Sequence, residues 1–106
     1  MISDQLNYGS DGLVPVIVQQ HGTGQVLMLA YMDKKAVELT EESGRAWYWS
    51  RSRQQYWRKG DTSGHIQTVR SLVADCDQDA LLLTVDQTGP ACHTGAPSCF
   101  DRQAVD

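Results

Sequence analysis

Apolar and polar residues alternate or cluster in a way that divides the chain into short extended segments and one helix. The runs "GLVPVIVQ" and "QVLMLAYM", at 12–19 and 25–32, are rich in β-branched residues and are separated by "HGTG", which predicts a hairpin with a glycine-containing loop. The period then changes in "DKKAVELTEESG", where Asp33 is placed as an N-cap and Gly44 stands just beyond the end of one short helix. "RAWYWSRS" is extended again, and after the polar loop "RKGDTSG" so are residues 65–77 and 79–86. The tail "GPACHTGAPSCF" carries Gly, Pro and Ser throughout and predicts a constrained loop. The sum is a small, sheet-dominated α+β domain of five or six strands and one helix, with no repeat and no linker, so residues 1–106 are expected to form a single domain.

The junction of two of these segments, "VADCDQDALLL", concentrates charge at the mouth of an apolar run. If the chain is extended there, Asp75, Asp77 and Asp79 share one side and Cys76 faces the other. Three carboxylates on one side require either a cation among them or a proton held above the ordinary aspartate pKa of about 3.9. Oxygen donors suit a hard ion such as Mg2+, whereas a thiolate suits zinc. A calcium loop is excluded, because Ala80 and Asp86 stand where such a loop needs Gly and Glu. A solvated acidic strand end is the plain alternative.

No apolar run approaches the ~20 residues of a membrane span, and "MISDQLNYGS" lacks the features of a signal peptide, so the cytoplasm is expected and no membrane partner. Three cysteines argue against a closed disulfide framework. Cys76, Cys92 and Cys99 are spaced C-x15-C-x6-C, unlike the close pairs of a zinc ribbon, and three thiolates without a fourth ligand point to zinc with a position open for water. Three reduced cysteines packed as small hydrophobes would read the same way. His93, next to Cys92, is a candidate proton carrier, since the ordinary histidine pKa lies at about 6.5.

The net charge of −4 speaks against nucleic acid as a general partner, but five of the nine basic residues, Arg45, Arg51, Arg53, Arg58 and Lys59, fall in one stretch without an acid. Trp47, Trp49, Tyr56 and Trp57 interleave with them. That composition suits a flat base and its phosphates, with Arg51, Arg53, Trp57, Arg58 and Lys59 as the candidate contacts. It equally suits a strand whose aromatics face the core.

In order, "GLVPVIVQ", "VLMLAYM", "YWSRSR", "WRKGDTSG", "DCDQDALLL" and "ACHTGAPSCF" resemble the phosphoribosyl-AMP cyclohydrolase family over roughly residues 12–100. The resemblance implies hydrolytic opening of the N1 to C6 bond of the adenine ring in 1-(5-phosphoribosyl)-AMP, a step of histidine biosynthesis, by zinc-activated water. It implies Mg2+ at Asp75, Asp77 and Asp79, and zinc at Cys76, Cys92 and Cys99. It further implies an intertwined homodimer in which one subunit gives one cysteine and its partner two, with His93 as the acid/base residue. Three thiolates leave water on the metal less acidic than a three-histidine site would, which calls for such a base. The chain departs from the family's common pattern at Asp61, where Glu is usual, His65, where Asn is frequent, and Gln78, where Gly is frequent. Ala96 and Pro97 stand where basic residues often occur. Two other functions compete: a zinc-stabilised module that stacks single-stranded nucleic acid on its Trp/Arg stretch, and simple deamination of a nucleoside.

Overall fold

The computed structural model describes residues 1–105. Six strands and one α-helix follow a single 3-10 turn at Ile2–Asp4. Strands β1 (Val14–Gln20), β2 (Val26–Met32), β5 (Gln67–Ala74) and β6 (Leu81–Gln87) make one sheet in the order β2-β1-β6-β5. β1 and β6 run parallel at its centre, and the two outer pairs are antiparallel. The second sheet is the two-stranded hairpin of β3 (Trp47–Ser50) and β4 (Gln55–Arg58).

The expected hairpin at the N-terminal end is β1 and β2, and alternation along β1 and β6 explains their burial. Val14, Val16 and Val18 share the inner face with Leu81, Leu83 and Val85. Helix α1 (Lys34–Ser43) lays Ala36, Val37 and Thr40 on that core, a spacing of one helical face. Asp33 caps its first turn by accepting from Ala36 N–H at 2.8 Å, and Gly44 closes it at φ 71°, a left-handed conformation that carries no Cβ penalty there. Thr40 Oγ1 then accepts from Trp47 N–H at 3.0 Å and fixes the helix against β3.

Two expectations need correction. The segment from 53 to 58 was not expected to be a separate strand, yet Gln55–Arg58 folds back on β3 through a tight turn in which Gln54 takes φ 54°. The acidic segment is not extended: β5 ends at Ala74, β6 begins at Leu81, and residues 75–79 form the turn that joins them. Asp75, Asp77 and Asp79 therefore do not alternate along a strand, and Cys76 does not point away from them as a strand neighbour. Backbone hydrogen bonds from Asp75 N to Ala80 O and from Gln78 N to Asp75 O close the turn, with Gln78 at φ 61°. The Asp75 carboxylate accepts from Asp79 N–H at 3.1 Å and Ala80 N–H at 3.3 Å, which satisfies two donors that no strand partner reaches.

The outer face of the main sheet is different from the inner one. Leu29 pairs with Ile17, Ile17 with Leu82, and Leu82 with Val73, so one apolar row crosses all four strands. Each of these side chains is between 38% and 53% exposed.

Candidate active site

A cleft of about 890 Å3 opens where the β3–β4 hairpin meets the C-terminal loop. Arg53, Trp57, Arg58 and Lys59 reach it from the hairpin and its turn, and His93 and Cys99 from the loop. Both readings of the aromatic stretch hold in part. Tyr48 is buried in the core with the Trp57 ring 5.0 Å away, while Trp47, Tyr56 and Trp57 line the cleft. Arg51 does not line it; its guanidinium stacks 3.8 Å over the Tyr31 ring.

The loop at 91–99 is folded on itself and pinned at both ends. Ala91 N donates to Pro97 O, Cys92 N to Ala96 O and Gly95 N to Cys92 O, so Ala96 and Pro97 serve the loop through their carbonyls. Ser98 Oγ donates to Val26 O at 2.7 Å, and Cys99 N–H donates to Leu27 O at 2.7 Å, which seats the loop on the start of β2. From the hairpin side, Lys59 Nζ donates to Ala91 O at 2.6 Å. Lys59 thus braces the loop as well as lining the cleft.

Cys92 and Cys99 influence each other's titration, and their surroundings shift them in opposite directions. A hydrogen bond from Thr94 Oγ1, 3.1 Å from Cys92 Sγ, lowers the Cys92 thiol below its ordinary pKa. Burial raises Cys99, and its neighbour Cys92 adds to that. Cys76 is elsewhere. It lies exposed in the β5–β6 turn, at the sheet end where β1 starts, whereas the loop is seated on the start of β2 at the opposite end. Strands of this length put about 15–20 Å between those ends. Zinc–sulfur bonds are about 2.3 Å, so one ion cannot take all three thiolates of one chain. Among the described residues no group of three or more His, Cys, Asp or Glu side chains converges on one point. Cys92 and Cys99 fit zinc chemically but are two donors where zinc takes about four.

The aspartate turn lies at the same far end as Cys76. Repulsion by Asp75 raises the Asp79 carboxyl above its ordinary pKa, and a hydrogen bond between the two carboxyls adds to it. Carboxylate oxygens are the donor type of a hard divalent ion, but Asp75 already accepts two backbone N–H groups and the three carboxylates do not converge. The turn is also tied to the N-terminus, since Asn7 Nδ2 donates to Asp77 O at 2.9 Å and Asn7 N–H to Gln78 O at 2.7 Å.

Two residues that the sequence reading names without a role belong to the site. Asp61 sits among the cleft residues and accepts from Arg58 Nε at 2.7 Å. Arg45, whose Nη2 reaches Asp61 Oδ1 at 3.4 Å and Lys59 O at 3.1 Å, stands behind it. An acid following a basic run was the available signal. His65 packs against Gly89, outside the residues that line the cleft.

Comparison with known proteins gives one answer. Residues 28–101 match the family model described as phosphoribosyl-AMP cyclohydrolase. A protein of that name from Streptomyces griseus is 58% identical over 104 residues, covering 98% of this chain and 83% of its own length. Another from Micrococcus luteus is 61% identical over 95 residues, covering 90% of this chain and 75% of its own. A third, from Paenarthrobacter aurescens, is 60% identical over 100 residues, covering 94% and 72%.

Proposed function

The chain belongs to the phosphoribosyl-AMP cyclohydrolase family, and on that premise we propose that it hydrolyses the N1 to C6 bond of 1-(5-phosphoribosyl)-AMP, a step of histidine biosynthesis in the cytoplasm. The observation that carries this reading is the cleft itself: one concavity offers a flat ring, three cations, an imidazole and a thiol. Trp57 would stack the adenine, and Arg53, Arg58 and Lys59 would meet the two phosphates, without Arg51, whose guanidinium is on Tyr31. His93 would take a proton as water adds to C6 and return one to N1 as the ring bond breaks. The exocyclic amino group would remain as a carboxamide, and no ammonia would be released.

Zinc at Cys76, Cys92 and Cys99 would supply Lewis acidity that makes water nucleophilic near neutral pH, and Mg2+ would sit at Asp75, Asp77 and Asp79. The two-ended placement of the cysteines supports a homodimer in which the zinc ligands come from both subunits. The outer apolar row gives a surface for it. Two sheets stacked face to face about a two-fold axis across the strands would lay the sheet end that carries the β5–β6 turn over the partner's end that carries the C-terminal loop.

The test is turnover of 1-(5-phosphoribosyl)-AMP followed by absorbance, with Zn2+ and Mg2+ supplied and again after chelation. Activity lost on chelation and restored by the metals is expected. A folded, metal-loaded protein with no turnover would overturn the proposal; a salt-dependent affinity for single strands would then favour the nucleic-acid module. Ammonia among the products would favour deamination.

A further inference from the structure

Asp61 is where two arginines meet. Its Oδ1 accepts from Arg58 Nε at 2.7 Å and from Arg45 Nη2 at 3.4 Å, and Arg45 Nη2 also donates to Lys59 O at 3.1 Å. Asp61 and Arg58 line the cleft, whereas Arg45 does not and has only 24% of its side chain exposed. The turn that carries Asp61 is fixed by Gly60, at φ 93°, whose missing Cβ would stand 2.6 Å from Ile66 backbone. A short carboxylate on a fixed turn has little freedom to miss its partner.

A guanidinium offers two usable donor edges. Asp61 occupies Arg58 through Nε alone, and among the described residues no acceptor takes the Nη1–Nη2 edge. That edge matches two oxygens of a phosphate. Arg58 also lies 5.5 Å from the Trp47 ring, which leaves its plane supported from one side. The charges sum in favour of an anion, because Arg53, Arg58 and Lys59 line the same cleft as the single carboxylate of Asp61.

We propose that Asp61 is a positioning residue: backed by Arg45, it orients Arg58 so that the terminal guanidinium edge clamps one phosphate monoester of the substrate. This rests on the function proposed above. Its role is to aim a cation, not to contact the reacting ring.

The experiment compares wild-type protein, Asp61→Ala, Asp61→Glu, Arg58→Ala and the Asp61→Ala/Arg58→Ala pair, all metal-loaded. Affinity for AMP and for ribose 5-phosphate is measured by calorimetry, alongside KM and kcat for 1-(5-phosphoribosyl)-AMP. Asp61→Ala is expected to weaken one of the two phosphates about tenfold, with KM rising similarly and kcat within about twofold of wild type. Asp61→Glu should restore most of the loss, and Asp61→Ala should add nothing once Arg58 is Ala. The phosphate that responds identifies which end of the substrate meets the clamp. Additive losses in the pair, a fall in kcat at unchanged KM, or unchanged affinity for both phosphates would overturn the proposal. If wild type binds AMP through this clamp but fails to turn over the substrate, the proposed reaction fails and the clamp stands.

Discussion

Single side chains decide more here than their exposure suggests. Tyr48 is buried and donates its hydroxyl to Gln67 Oε1, and Gln67 Nε2 donates to Gln87 Oε1 at 2.8 Å, so the core contains a closed polar relay. Burial holds the Tyr48 hydroxyl far above the ordinary tyrosine range, so it remains a donor at all working pH. Tyr48→Phe leaves the buried Gln67 oxygen unpaired and is expected to cost about 1–3 kcal/mol by urea denaturation, with kcat unchanged. His93→Ala should act oppositely: the rate falls by about 10²–10⁴-fold while the melting temperature holds. A near-wild-type rate in that variant would move proton transfer to another group. Arg53, Trp57, Arg58, Lys59, His93 and Cys99 were legible as candidates because their side chains carry their chemistry in their names, whereas the place of Arg51, over Tyr31 and off the cleft, was not. Asp61 was not, because its role depends on what lies across space, and Arg45 is separated from it by a whole hairpin.

At the scale of elements, what the sequence disclosed depended on whether a turn carried its usual residues. Helix α1 was readable at both ends because Asp33 and Gly44 are ordinary caps. The β3–β4 turn was not, since "SRSRQQ" has no Gly, Pro, Asn or Asp to mark it and Gln54 takes the left-handed position. The β5–β6 turn is wider than the break the sequence shows at residue 78: its three aspartates are turn residues, but with Gln78 rather than glycine at φ 61° the alternation of Asp75, Asp77 and Asp79 reads as strand. A residue with a Cβ carries a penalty there of roughly 1 kcal/mol. Gln78→Gly should therefore raise stability by about that amount or somewhat less, given glycine's greater freedom when unfolded. A lower melting temperature would show that the Gln78 side chain makes a compensating contact.

For the whole molecule, the separation of Cys76 from Cys92 and Cys99 is the feature with the widest reach. Cys76→Ser and Cys92→Ser proteins should each be inactive alone yet recover part of the activity on mixing, because one site in the mixed dimer draws only on intact cysteines. No recovery would place each site within one chain. Ile17→Lys on the outer apolar row should yield a monomer by sedimentation and abolish turnover together, whereas an active monomer would remove the dimer from the mechanism. No helix of the described residues is long and apolar enough to cross a membrane. The parallel contact of β1 with β6 sets a different kind of limit. The sheet's middle pair joins two strands separated along the chain by β2, α1, β3, β4 and β5. Until β6 pairs with it, β1 of the N-terminal hairpin keeps one edge open. Long-range pairing of this kind slows folding and exposes the nascent chain to wrong partners. Closure of the sheet by β6 is therefore expected to be a slow step of folding.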